Sequence, residues 1–351
     1  MSRRNALLTH MGMVLGMSAV ALALGRQQSS ITPPTPMVVE DELTKSKTSI
    51  AKDALALLAS GHYSELDALA ANFRQSQQSF ENGYWKLTLF YQSICDLGNR
   101  APESEWQSRL SLIRRWFEQD TESITPRVAM AEALVSYAWH ARGHGWASKV
   151  PEDAWPSVYE RIAEASRILE AATNLTEKCP CWYSTRLRTA LLAGRPREQY
   201  ETMFDAATAA FPTYAPLYFI KTNYLLERWY GKPGEWEAFA GASADKIGGE
   251  NGDVLYAQIL WYVHDLRIYG NPISESAIKW ERARRGFEAL HRRFPGSIFA
   301  LSEFCSISGF APTGARQLMR NLFAELGNRV DLAVWRETEL FLRDWRWAHS
   351  D

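Results

Sequence analysis

From Thr48 to the C-terminus, apolar residues recur at spacings of three and four. Ile50, Ala54, Leu57 and Leu58 share one face of a helix that Thr48 or Ser49 can cap and Gly61 can end. The same spacing returns in Leu87-Phe90-Tyr91-Ile94, Leu110-Ile113-Phe117, Val128-Ala131-Leu134-Val135, Ile162-Ala165-Leu169, Met203-Ala206-Ala207-Ala210, Phe219-Tyr224-Leu225 and Phe287-Leu290-Phe294. No run alternates apolar and polar residues with β-branched enrichment, and no hairpin signal joins two such runs. The pattern predicts an all-α chain.

The breaks between stripes are regular. Gly61, Gly98, Gly143, Gly194, Gly231, Gly270 and Gly309 stand 37 to 51 residues apart, near the length of a helix-turn-helix repeat. Phe211-Pro212 and Phe294-Pro295 each close a stripe and precede an aromatic-rich helix start. The proline removes a helical donor and forces a turn, and the phenylalanine fills the joint between successive pairs. The expected architecture is a set of tetratricopeptide-like antiparallel helix pairs, stacked as an α-solenoid or a compact right-handed superhelix. A pair of this kind cannot bury both faces alone, so the terminal pairs are expected to be the least stable.

The N-terminus has a different pattern. Arg3 and Arg4 precede an uncharged run from Met11 to Gly25 that Arg26 ends. That run is short for a span of about 20 residues and carries small-x-small pairs at Ala21-Leu22-Ala23 and Ala23-Leu24-Gly25. Residues 1–25 therefore read as a signal peptide or, if residues 6–25 act together, as an N-terminal inner-membrane anchor. Residues 26–44 are polar and Pro-rich and read as a solvated linker. Residues 45–351 form the helical-repeat domain. Either form of the leader places the body outside the cytoplasm, in the periplasm, because the positive flank stays inside.

Three stretches resemble a bacterial family catalogued as domain of unknown function 4034. The first is Ala138-Trp139-His140-Ala141-Arg142-Gly143-His144-Gly145-Trp146-Ala147, followed by Tyr159-Glu160-Arg161 and Leu169-Glu170. The second runs from Pro216-Leu217-Tyr218 through Asn223 to Glu235, and the third from Gly252 to Ala257. Together they cover roughly residues 125–300. This sequence departs from the family at Glu227, where proline is usual, and at Cys179-Pro180-Cys181-Trp182-Tyr183, where Asp-Pro-x-Trp-Tyr is usual. The resemblance implies a tetratricopeptide-like helical domain and supplies no activity.

The charge balance changes the picture little. A net charge of −1 over 351 residues argues against an electrostatic nucleic-acid binder. His140 and His144 have the four-residue spacing of paired zinc ligands, but Gly143 and Gly145 break the helix around the second. The glycines fit better as a tight interhelical turn, with Arg142 capping carbonyls or pairing with a carboxylate such as Glu160. Cys95, Cys179, Cys181 and Cys305 read as buried thiols or one structural bridge. His264-Asp265 is a lone dipeptide in an apolar run. The basic stretch Lys279 to Arg293 reads as a solvated helix face diluted by Glu281 and Glu288.

Fourteen tryptophans are the most unusual feature of the composition. Most are expected to fill gaps between helices, and some to line a concave binding face. The sequence thus points to an exported helical-repeat scaffold that binds a protein, peptide or envelope component, with no catalytic residue, cofactor or metal assigned. The candidate binding residues are Trp139, His140, Arg142, His144, Trp229, Tyr230 and Trp261, and the structural turn residues are Gly143, Gly145 and Gly231. Two alternatives stand beside it. One is an enzyme with a site near His140, Arg142 and His144, and the other is a structural part of a membrane-associated assembly.

Overall fold

A computed structural model of the chain describes residues 32–98, 100–143, 149–175, 177–312 and 315–350. The leader at 1–25, residues 26–31 of the linker, His144 and Gly145 lie outside the described residues. One compact unit runs from Pro33 to Asp351. It begins inside the stretch read as a linker.

The first helix, α1 (Glu42–Ser60), starts well before Thr48. Asp41, not Thr48 or Ser49, caps it by accepting from the Glu42 N–H. Its buried stripe is Leu43, Ile50, Ala54 and Leu58. Lys47 falls within that stripe and lies 5.7 Å from the centres of both the Phe80 and Phe299 rings, so a lysine interrupts the apolar period without interrupting the helix. Gly61 ends α1 in the left-handed conformation, at φ 72°.

The remaining elements are helical almost throughout. They are α2 (Tyr63–Ser76), α3 (Lys86–Cys95), α4 (Glu103–Gln119), α5 (Ile124–Arg142), α6 (Trp155–Ala171), α7 (Pro180–Leu192), α8 (Arg197–Ala210) and α9 (Ala215–Tyr224). They continue as α10 (Glu235–Ile247), α11 (Gly249–Asp265), α12 (Trp280–Arg293), α13 (Ile298–Ser308), α14 (Ala315–Leu326), α15 (Leu332–Trp335) and α16 (Thr338–His349). The protein is all-α. Two short strands, β1 (Met37–Val38) and β2 (Arg329–Val330), pair in parallel.

The helices divide into two layers. Each odd-numbered helix from α1 to α13 packs against the next odd one, and α2 to α12 pack outside against their sequence neighbours. Burial follows the division. In α5, fifteen of nineteen residues are buried, whereas α6 buries only the stripe Val158, Ile162, Ala165 and Leu169. A central inner helix such as α5 is therefore buried nearly all round, whereas α6 and the terminal inner helix α1 are amphipathic.

The inner row does not end in free terminal pairs, as an open solenoid would. The Asp41 carboxylate accepts from Ser297 Oγ at 2.8 Å and from the Phe299 N–H at 2.6 Å, joining the head of α1 to the head of α13. The Met37 N–H donates to Asn328 O at 2.8 Å, and the Val39 N–H to Val330 O at 3.0 Å. The first and last inner helices thus meet, and residues 37–43 form the clasp. This corrects the linker boundary at residue 44. The physical reason is that Leu43 and Asp41 are buried against the body, while the polar composition around them hides that contact.

Within the ring, the loop from Phe80 to Trp85 crosses from α3 toward α9 and α11. Gln258 Nε2 donates to Glu81 O at 2.9 Å, and the Trp85 ring packs edge-on to Tyr214 at 5.0 Å. Tyr214 also shares a 2.6 Å hydrogen bond with Thr88 Oγ1. This loop fills the ring near the starts of the inner helices. No helix among the described residues is long and apolar enough to cross a membrane.

Candidate functional site

A cavity of about 1080 Å³ opens where the inner helices finish. Its walls come from the C-terminal ends of α3, α5, α7, α9 and α11 and the segments that follow them, with Trp106 of α4 and Arg336 after α15. The inner helices run parallel, so their negative dipole ends converge there, and cationic side chains are favoured. The lining carries five arginines, at 142, 188, 228, 267 and 336, against two aspartates, Asp96 and Asp265.

The apolar part of the wall is aromatic. Trp139 and Trp229 meet edge to face at 5.6 Å. The Arg142 guanidinium lies 4.6 Å from the Trp229 ring, 5.2 Å from Trp139 and 5.9 Å from Trp155, and Nη1 donates to Gly143 O at 3.0 Å. Arg142 therefore does cap a carbonyl, but its other described contacts are indole faces and not Glu160. Gly143 has φ 70° and, among the described residues, open space where a Cβ would stand. At Gly231 the constraint is close approach: a Cβ would lie 1.8 Å from Leu225 O.

The arginines differ in how they are held. Arg188 pairs with the buried Glu132, which also accepts from Thr185 Oγ1 at 2.7 Å. Arg336 pairs with Asp265 at 2.6 Å. Arg228 donates to Asn223 Oδ1 at 3.1 Å, and its Nε is buried without a hydrogen-bond partner. Burial lowers the pKa of Arg142, Arg228 and Arg267 from the ordinary arginine value. The neighbouring Arg228 adds to the shift at Arg142, and Arg336 to that at Arg267.

The other candidates fall at different distances from this cavity. Tyr230 is exposed, stacks 4.9 Å from Tyr224 and donates to Leu191 O at 3.0 Å, just behind the wall. Trp261 lines a smaller adjoining cavity of about 170 Å³ with Lys47, Asn82, Tyr84 and Phe299. His140 is absent from the lining: its ring lies 5.3 Å from Trp106 and 6.3 Å from Tyr137. Among the described residues no group of three or more His, Cys, Asp or Glu is placed to hold a metal. His264 is buried between Trp261 and Phe310, each 5.2 Å away, and burial with the nearby Arg267 pushes its pKa down to about 4. Tyr262, on the lining, is pushed up to about 12 by burial of its hydroxyl.

Sequence reasoning singled out Trp139, Arg142 and Trp229, which meet here, and missed Arg228, Arg267 and Arg336. Arg228 sits beside Trp229 inside the second family-like stretch, and that adjacency was the available signal. The first and second stretches, far apart in sequence, contribute neighbouring parts of one wall.

Elsewhere the structure favours the plainer readings. Arg282 and Arg285 pair with Asp253, and Arg292 and Arg293 with Glu250, so the basic stretch is an ion-paired helix face. All four cysteines are buried free thiols. Burial opposes ionisation of Cys179, yet hydrogen bonding from Cys181 and the Arg74 charge bring its pKa down to about 7.

Comparison with family models, curated proteins and solved structures finds no match to this chain. The geometry therefore defines the class: an all-α protein of two helical layers with an arginine- and tryptophan-lined mouth.

Proposed function

We propose that this protein is an exported binding scaffold that holds its ligand in the mouth of the helical ring. The observation that carries the reading is the cavity itself. Its volume suits a metabolite-sized molecule or a short peptide segment, and half-buried indoles beside polar groups are the usual composition of a recognition site. The resemblance to domain of unknown function 4034 is part of this reading, because two of the stretches that carry it line the cavity.

The titratable groups support binding over catalysis. Tyr262 stays protonated at neutral pH, and His264 stays neutral and buried. Asp265 is tied to Arg336, and Asp96 accepts from the Gly98 N–H at 2.8 Å. Among the described residues of the lining, both aspartates are bonded to the wall and the tyrosine hydroxyl is held protonated, an arrangement that suits holding a ligand.

The test is a thermal-shift screen of the full-length purified protein against metabolites and short peptides, with Trp229→Ala as the paired control. A ligand at a hundred times its Kd adds about 2.7 kcal/mol to stability, so binders should raise Tm measurably. The expected result is a set of hits lost in Trp229→Ala. Hits that bind wild type and variant equally would move the site elsewhere.

A further inference from the structure

The bland account of the mouth arginines is that they neutralise helix ends and nearby carboxylates. It covers Arg188, which has Glu132, and Arg336, which has Asp265. It does not cover Arg228, and it covers Arg267 only through the charges of Asp265 and Asp344, neither of which bonds it. Among the described residues no carboxylate lies within ion-pair distance of either arginine, and neither donates to a helix-end carbonyl. Arg228 is half-buried and offers one nitrogen to Asn223, leaving most of its five donors for whatever fills the cavity. Arg267 holds a backbone φ of 53°, and Arg336 one of 64°. They are two of the three non-glycine residues with positive φ among the described residues, and both line this cavity. Strain of this kind persists where the surrounding structure demands a particular side-chain position.

Arg228 is partly withdrawn from water without a counter-charge, which is costly, and an anion offsets that cost, whereas Arg267 is exposed and adds positive charge at the entrance. Guanidinium forks match the oxygens of carboxylate and phosphate, while the neighbouring indoles accept a flat or apolar body. Resting on the binding reading above, we propose that the mouth selects organic anions, with a carboxylate or phosphate held by Arg228 and Arg267 and the body of the molecule against Trp139 and Trp229. An excess of cations at the rim also draws such ligands in, and salt weakens that attraction.

Four probes sharing one ring system separate the contributions: 1-naphthylacetate, 1-naphthyl phosphate, 2-(1-naphthyl)ethanol and the cationic 2-(1-naphthyl)ethylamine. Each is titrated calorimetrically into the full-length protein and into Arg228→Gln, Arg267→Gln and Trp229→Leu, whose folding is checked by circular dichroism and Tm. The expected result is that at least one anion binds about tenfold more tightly than the alcohol, and the amine more weakly than the alcohol. Each arginine substitution should remove most of the anion's advantage and leave the alcohol unchanged, whereas Trp229→Leu should weaken all of the probes. Which anion wins distinguishes carboxylate from phosphate. Equal binding of anions and alcohol would overturn the anion inference and leave the binding reading standing. No binding of any probe at millimolar concentration would overturn both.

Discussion

Where the inner helices begin, carboxylates collect; where they finish, arginines do. At the starting end, Asp41 caps α1, Asp331 caps α15 by accepting from the Ala333 N–H at 2.8 Å, and Glu81 and the fully buried Glu303 lie nearby with Lys47. At the finishing end stand the five arginines of the cavity lining. Parallel inner helices impose this polarity, since their positive ends favour acids and their negative ends favour cations. The two ends then diverge. The acidic end narrows to the cavity of about 170 Å³ beside Lys47 and Phe299, and its caps are used on the protein's own N–H groups. The basic end stays open and, among the described residues, keeps Arg228 without a carboxylate partner. The same dipole logic yields a structural seam at one end and a receptive mouth at the other.

The largest effect should come from opening the seam. Asp41→Ala removes the acceptor of the Glu42 and Phe299 N–H groups and of Ser297 Oγ. Losing a helix cap and leaving buried donors unpaired should cost about 3 kcal/mol, read by urea denaturation. A change within about 0.5 kcal/mol would mean that the clasp contributes little, which is the usual result for a surface substitution.

Acid should act oppositely at the two ends. The unfolded His264 imidazole takes up a proton near pH 6.5, and the folded one only near pH 4. Its contribution to stability is therefore lost as pH falls from about 6.5 to 4, by up to about 3 kcal/mol. His264→Gln should flatten that decline. Burial raises the Glu303 carboxyl well above its ordinary value, against the opposing charge of Lys47, so the folded state holds this proton more tightly than the unfolded chain does. Its ionisation costs stability at high pH, and the cost fades as pH falls toward the ordinary carboxylate range. Glu303→Gln should thus raise Tm at pH 8 more than at pH 5. A histidine variant that follows the wild-type acid curve, or a glutamine variant with the same gain at both pH values, would break the contrast between the ends.

The smallest effect belongs to the turn beside the mouth. Gly143→Ala meets no atom of the described residues, and the positive φ resists it by about 1 kcal/mol. Tm should fall by a few degrees while ligand shifts persist. Loss of all ligand shifts in this variant would make the turn part of the recognition surface.

The helices were legible because an outer helix has one buried stripe of period near 3.6, as α6 shows with Val158, Ile162, Ala165 and Leu169. The start of α1 was not, because Lys47 occupies the stripe and the distant Phe80 and Phe299 rings explain why a lysine is tolerated there. The indoles of the mouth were legible by their size and rarity. The cations were hidden for a different reason: an arginine in sequence looks the same whether Glu132 neutralises it, as for Arg188, or no described carboxylate does, as for Arg228. That difference exists only once helices far apart in the chain are brought together.

The hydrogen bond from Ser297 to Asp41 joins residues 256 positions apart in the chain. Consecutive helix pairs can form early from local contacts, but the clasp has to wait until the last quarter of the chain has been made and has found the first. The final lock is therefore the element of highest contact order, and its formation should set the pace of folding. Until it forms, the N-terminal helix is held only by its immediate neighbours, and a growing chain cannot mature from its beginning alone.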